Sequence, residues 1–158
     1  MSFVQMRGVV LCAVLATAGC GHMVAMTPDV VRQEGRIVVA VERERALKAV
    51  EEALDALNIG VALSKPEIGL VVSKRFTLAA YATRGRYVAS VNEDTIQYDV
   101  TVRPAGDGAK EMEIVVSPRG FHNGVEVTAR EVWQLDGAQG QRARWQQLFG
   151  EIRRMLGV

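Results

Sequence analysis

Cysteine is nearly absent from this chain. There are two, Cys12 and Cys20, and none after residue 20. A fold built from the remaining residues has no disulfide, no thiolate nucleophile and no cysteine ligand for a metal. Histidine is equally scarce, with His22 and His122 alone. One histidine and no cysteine in the body of the chain argue against zinc or copper. Any metal would have to sit on carboxylates. The nearest set is Glu93, Asp94 and Asp99, and a solvated turn accounts more simply for the first two. No metal and no cofactor are expected. GxSxG, HExxH, GxGxxG and the P-loop do not occur. Gly106-Asp107-Gly108-Ala109-Lys110 has the look of a phosphate loop, but it lacks the Lys-Ser/Thr pair and the strand–loop–helix setting, so it reads as a turn. There is no excess of charge, with 19 Lys plus Arg against 18 Asp plus Glu. That balance argues against a nucleic-acid binder, which would need a basic face. Nor is there a long apolar run. The longest, Gly8 to Ala18, has 11 residues, about half of what a spanning helix needs.

The short apolar run has a context. Arg7 precedes it, and it closes on the small residues Thr17, Ala18 and Gly19, leading directly into Cys20. Basic start, apolar middle and small-residue end are the three parts of a secretory signal. A cysteine immediately after Ala18-Gly19 resembles the lipobox of bacterial lipoproteins, with Thr17 where that family usually has Leu. The resemblance covers residues 1–20. It implies cleavage before Cys20 and acylation of that cysteine, giving a membrane anchor of more than one chain, the number stable attachment requires. Gly21 rather than Asp after the cysteine implies, by resemblance to Gram-negative lipoprotein sorting, the outer membrane with the domain facing the periplasm. Loss of residues 1–19 removes Arg7 and no acid, leaving 18 bases and 18 acids.

Three segments follow: a signal peptide over 1–19, a lipidated cysteine and tether over 20–36, and a single domain over 37–158. The tether, fully stretched, reaches about 50 Å. Hydrophobic period gives the domain's elements. Ile37-Val38-Val39-Ala40-Val41 is a β-branched run that predicts a strand. Over Glu42–Asn58, Leu47, Val50, Leu54 and Leu57 recur at helical spacing with Ala46, Ala49 and Ala53 beside them. Ile68–Ser73 reads as a strand. Leu78–Tyr81 and Arg86–Val91 flank Thr83-Arg84-Gly85 as a hairpin. Ile96, Tyr98, Val100 and Val102 alternate with polar residues, predicting a strand with one wet face, and Met112, Ile114 and Val116 alternate with Glu113 in the next one. Asn123-Gly124 is a hairpin-turn pair before Val125–Thr128. The last helix, from about Gln141 to Leu156, carries Trp145, Leu148, Phe149, Ile152 and Leu156 as one stripe. The predicted fold is α+β: a two-layer sandwich in which two helices pack on one face of a mostly antiparallel sheet. In order and pattern, residues 42–158 are similar to the helix-grip domains of the BamC type in outer-membrane assembly. That resemblance implies a non-catalytic domain that acts through protein contacts, and it transfers no contact residue.

Candidate site residues are few. His122 stands beside the Asn123-Gly124 turn, where Glu126 faces it across the hairpin; no nucleophile accompanies it, so a surface turn histidine is the expectation. Two groups of basic residues, Lys74, Arg75, Arg84 and Arg86 in the middle and Arg142, Arg144, Arg153 and Arg154 in the last helix, read as a solvated face. Their functional reading is contact with acidic headgroups or an acidic protein partner. Arg153 and Arg154 also suit the helix C-terminus. Trp145 belongs to the core stripe, whereas Trp133, if exposed, would anchor a partner. Possible interaction residues are therefore Trp133, Arg84, Arg86, Arg142 and Arg144. The expected role is that of an anchored, non-enzymatic module for protein interaction or envelope assembly. The alternative is a periplasmic carrier holding a small apolar ligand between sheet and helix, with Leu78-Ala79-Ala80-Tyr81 as part of its wall. Nucleic acid is not an expected partner.

Overall fold

The computed structural model describes residues 28–84, 89–106, 110–128, 132 and 137–158. Its elements run in the order α1 (Pro28–Glu34), β1 (Arg36–Val39), α2 (Arg43–Ala56), β2 (Val61–Lys65), a single tight helical turn over Pro66–Ile68, then β3 (Leu70–Ser73) and β4 (Phe76–Arg84). They continue with β5 (Ala89–Pro104), β6 (Met112–His122), β7 (Val125–Glu126) and a closing helix, α3 (Gly137–Leu156). All strands join one seven-stranded sheet of order β1-β6-β5-β3-β2, with β4 beside β5 and β7 beside β6. Every pairing is antiparallel. The architecture is the α+β sandwich expected from the pattern.

One face of the sheet and the two long helices make the core. Ile37 and Val39 of β1, Val71 of β3, Ile96, Tyr98, Val100 and Val102 of β5, and Met112, Ile114 and Val116 of β6 are buried on that face. Ala46, Leu47, Ala49, Val50, Ala53 and Leu54 of α2 cover them, with Trp145, Leu148, Phe149, Ile152 and Leu156 of α3. The alanines on the α2 stripe carry no bulk beyond Cβ and let the helix lie close to its neighbours. Full burial of a side chain such as Leu54 or Ile114 stabilises by about 1.5–3 kcal/mol. The opposite face carries Thr95, Gln97, Thr101, Arg103, Ser117 and Arg119, none of them buried. Period two thus assigns the two faces correctly along β5 and β6.

Several elements differ from the sequence expectation. Within the stretch read as tether, Pro28–Glu34 form α1, and the Val116 N–H donates to the Gly35 carbonyl at 2.8 Å, joining the segment to β6. Val61–Lys65, not recognised in the sequence, is a strand at the sheet edge. Of the strand expected over Arg86–Val91, the described part, Ala89–Val91, does not stand apart from Ile96–Val102. Ala89–Pro104 is one strand of 16 residues, and it runs straight through Asn92-Glu93-Asp94. The expectation of a solvated turn there is wrong for a definite reason: Asp94 is buried at 5% exposure, and its strand position is fixed from both sides by Ala79 and His122. The proposed turn at Asn123-Gly124 is present, with φ of 49° and 82°, the left-handed pair that a two-residue hairpin requires.

A side chain repairs the sheet where β3 gives way to β4, both on the same side of β5. Ser73 is fully buried; its Oγ accepts the Tyr98 backbone N–H at 2.8 Å and donates to the Lys74 carbonyl at 2.8 Å. The Gln97 side-chain amide donates to the Ser73 carbonyl at 2.8 Å. Groups that would have been orphaned at the strand break are satisfied, as burial demands.

Candidate functional site

The sheet is uneven, and its unevenness defines the site. The register of β6 on β5 ends at His122 opposite Asp94. β4 stays paired with β5 well past that point, as far as Arg84 opposite Ala89. Beyond Asp94 the hairpin is therefore a two-stranded arm among the described residues. Ala80, Ala82 and Ser90 on it are exposed, and Val91 is 74% exposed. The outer edge of β4 meets no other strand among the described residues. Open edges are ordinarily protected by charge, proline or a bulge. Here the one irregularity lies at the base, between Thr77 and Ala79, and the arm then runs Ala79-Ala80-Tyr81-Ala82-Thr83 without a charge until Arg84.

Two polar clusters brace the root of this arm. On the first, Asp94 Oδ1 lies 2.8 Å from His122 Nδ1. The Asn123 side-chain amide nitrogen is 3.2 Å from His122 Nε2 and donates to Asn92 Oδ1 at 2.9 Å. Asn123 Oδ1 accepts the Glu93 backbone N–H at 2.9 Å, and the Asn123 N–H donates to the Glu93 carbonyl at 2.8 Å. In this network Nδ1 faces the Asp94 carboxylate, and the Asn123 amide, whose oxygen already accepts from Glu93, is turned with its N–H toward Nε2. Nε2, the atom a general base would use, faces the Asn123 amide, and no described hydroxyl is bonded to it. The pair works as a clasp that ties the β6–β7 turn to β5.

The expected His122–Glu126 juxtaposition is not what forms. His122 and Glu126 project from opposite faces: His122 turns to Asp94, while Glu126 pairs with Arg119. Asp94, considered in the sequence only as a carboxylate of a solvated turn, is the partner of His122 that sequence reasoning missed. It lies 28 positions from His122, in a strand mistaken for a turn.

The second cluster lies on the other face of the sheet. Phe121 is only 1% exposed although it points away from the main core. The Arg75 guanidinium covers its ring at 3.5 Å from the centroid, and Arg119 stands at 5.8 Å. Such stacking is a favourable cation–π arrangement. Arg119 in turn grips Glu126 with two bonds, Nε–Oε1 at 2.9 Å and Nη2–Oε2 at 2.6 Å. That hydrogen-bonded pair lowers the Glu126 carboxyl below its ordinary range and raises Arg119 above its own. Asp99, close by, is pushed upward by burial, against the opposing pull of Arg119. Its Oδ1 has no hydrogen-bond partner among the described residues.

The other described sequence candidates are dispersed. Arg144 is exposed on α3, and Arg142 lies on the same helix without a described side chain. Arg84 is placed by its backbone at the tip of β4. Cys20, Arg86 and Trp133 lie outside the described residues. Trp145 is buried as expected. Leu78, offered as part of a ligand-cavity wall, is half-buried and packs against the core, while Ala80 of the same wall is exposed. Among the described residues, clefts open beside the core, one of about 320 Å³ between β1 and α3 and another of about 500 Å³ beside the start of α2. Both carry charged residues: Glu34, Arg36 and Arg153 in the first, Glu42, Arg43 and Lys110 in the second. Among the described residues no three His, Cys, Asp or Glu side chains gather as a metal site, and no helix is long and apolar enough to cross a membrane. No known protein family matches the chain, and no curated protein matches it either.

Proposed function

We propose that this chain is a lipid-anchored envelope lipoprotein, held at the outer membrane by acylated Cys20, whose domain acts without catalysis as a docking module for another envelope protein. The observation that carries the docking half is the projecting β4–β5 arm with its open, uncharged β4 edge. An extended segment of the partner adds to that edge as a further strand. Main-chain hydrogen bonds supply affinity in such β-augmentation, and alternate side-chain positions supply selectivity. The clasp of Asp94, His122 and Asn123 and the Arg75–Phe121 stack hold the root of the arm, since an isolated two-stranded ribbon is marginal in water. The anchor half rests on the order of Arg7, the apolar run, Ala18-Gly19 and Cys20.

Two experiments test the halves separately. Intact mass from the native membrane, with Cys20→Ala as control, is expected to show a chain starting at Cys20 with added acyl mass that the control lacks. A soluble, unacylated product refutes the anchor. Photo-cross-linking from Ala82 and from Val91 in the native membrane is expected to trap a defined envelope protein, with Lys48 on α2 as the control position. Ala80→Lys together with Ala82→Lys is expected to abolish the product. Equal cross-linking from Lys48, or an unchanged product in the lysine variant, refutes docking at the arm.

A further inference from the structure

The cleft of about 320 Å³ is lined by Glu34, Arg36, Ile37, Trp145, Phe149 and Arg153, with Gln146 at its side. Its floor is apolar: Ile37, Trp145 and Phe149 belong to the core. Its rim is cationic in effect. Arg36 is 3.3 Å from Glu113, yet the same carboxylate is held more closely by Arg103, at 2.7 Å. One acid therefore serves two bases, and Arg36 keeps donors to spare, being 54% exposed. Arg153 is exposed and has no ion pair among the described residues, unlike its neighbour Arg154, which is bound to Glu151 at 2.7 Å. Glu34, the one acid of the rim, has a polar or electrostatic interaction of its own. An apolar floor beneath two under-neutralised arginines suits an amphiphile with an anionic head.

The position of the cleft says which amphiphile. Glu34 ends α1 and Arg36 begins β1, so the cleft lies where the chain enters the domain from its N-terminal side. From Cys20 to Pro28 the backbone spans about 27 Å at full extension. A chain anchored at Cys20 thus keeps α1 and this cleft close to the membrane that bears the anchor. Each basic side chain near an anionic lipid surface gains from its potential, an attraction that fades within a Debye length. We propose that the cleft seats the headgroup of an anionic phospholipid of that membrane, with Arg36 and Arg153 on the phosphate and the apolar floor under its glycerol and proximal acyl carbons. This inference rests on the anchor reading for its geometry. It adds an orientation: the α1–α3 side of the domain faces the bilayer, and the seated headgroup fixes how the domain stands.

The test uses the acylated chain in uncharged detergent, with Trp133→Phe so that Trp145 reports alone. The probe is dihexanoyl phosphatidylglycerol, titrated below its micellar concentration, against dihexanoyl phosphatidylcholine and inorganic phosphate. A saturable change in Trp145 emission with phosphatidylglycerol alone is expected. Arg36→Gln and Arg153→Gln are each expected to weaken it by at least about tenfold, and the pair by about 100-fold, from the worth of a hydrogen bond to a charged group. Arg154→Gln, one residue away and already paired, is expected to leave it unchanged. No saturable response, or an equal loss in Arg154→Gln, overturns the proposal, the latter by showing diffuse attraction. Inorganic phosphate reproducing the change also overturns it, in favour of a free-anion site. Mass spectrometry of the same preparation separates this from the anchor. An acylated chain that ignores phosphatidylglycerol sinks the cleft alone; an unacylated chain that binds it sinks the anchor alone.

Discussion

Removing the Tyr98 hydroxyl is expected to stabilise the protein. Tyr98 is fully buried in the middle of β5, its ring meeting Phe76 edge-on at 5.2 Å between centroids. Its hydroxyl has no hydrogen-bond partner among the described residues. A hydroxyl buried without a partner costs about 1–3 kcal/mol. Tyr98→Phe keeps the ring, the edge contact and the strand, and leaves only the small void of one oxygen. The net gain is about 1 kcal/mol, which for a domain of this size is about 3–4 °C in Tm. Urea and thermal melts at neutral pH measure it.

The alkaline limb adds an independent check. Burial pushes the Tyr98 phenol well above its ordinary value, with the Arg144 charge opposing. Because the folded pKa is raised, this group's stabilising share is intact below about pH 10, where the unfolded phenol is still protonated. It is lost as pH rises further, because the unfolded chain ionises and the folded one does not. The variant has no such loss, so its advantage should widen above about pH 10 by up to about 1.4 kcal/mol per pH unit. A Tyr98→Phe protein that is less stable than the parent at neutral pH, with no widening in alkali, would refute the reasoning. It would mean that the hydroxyl has a partner and is open to solvent.

Other substitutions probe the sheet and the clasp. Ser73→Ala removes the acceptor of the buried Tyr98 N–H and is expected to cost about 1–3 kcal/mol in a urea melt. Gly69→Ala drives a Cβ into the Val102 carbonyl oxygen, at a residue whose φ is +71°. A loss of at least about 2 kcal/mol follows from strain and clash together, and a variant within 0.5 kcal/mol of the parent would contradict that packing. His122→Ala deprives the buried Asp94 carboxylate of its partner, at about 2–3 kcal/mol. Adding Asp94→Asn removes the unpaired charge, so the double variant should be more stable than His122→Ala alone.

The sequence by itself determined the layers of this fold. Alternation along Ile96–Val102 and Met112–Val116 fixes which face of each strand is dry, because neighbouring side chains on a strand point to opposite sides. The stripe of Leu47, Val50 and Leu54, and that of Trp145, Leu148, Phe149 and Ile152, select helices by their 3.6-residue repeat. Asn123-Gly124 selects its turn because both positions need positive φ. These signals are local, so they survive in one dimension.

What the tertiary structure decided is everything that depends on distant residues meeting. Asn92-Glu93-Asp94 carries the composition of a turn, yet it is strand, since its partners Tyr81, Ala80 and Ala79 on one side and His122 on the other impose extended backbone. Propensity yields to pairing there. Asp94 finds His122, Arg75 finds Phe121, and Arg36 and Arg103 share Glu113 across separations that no spacing rule reports. The open edge of β4 is likewise a property of the assembled sheet: a strand's own residues do not say whether a neighbour will lie beside it. Both candidate surfaces of this protein, the arm and the cleft, are therefore products of long-range contact, while the layers that present them are written locally in the chain.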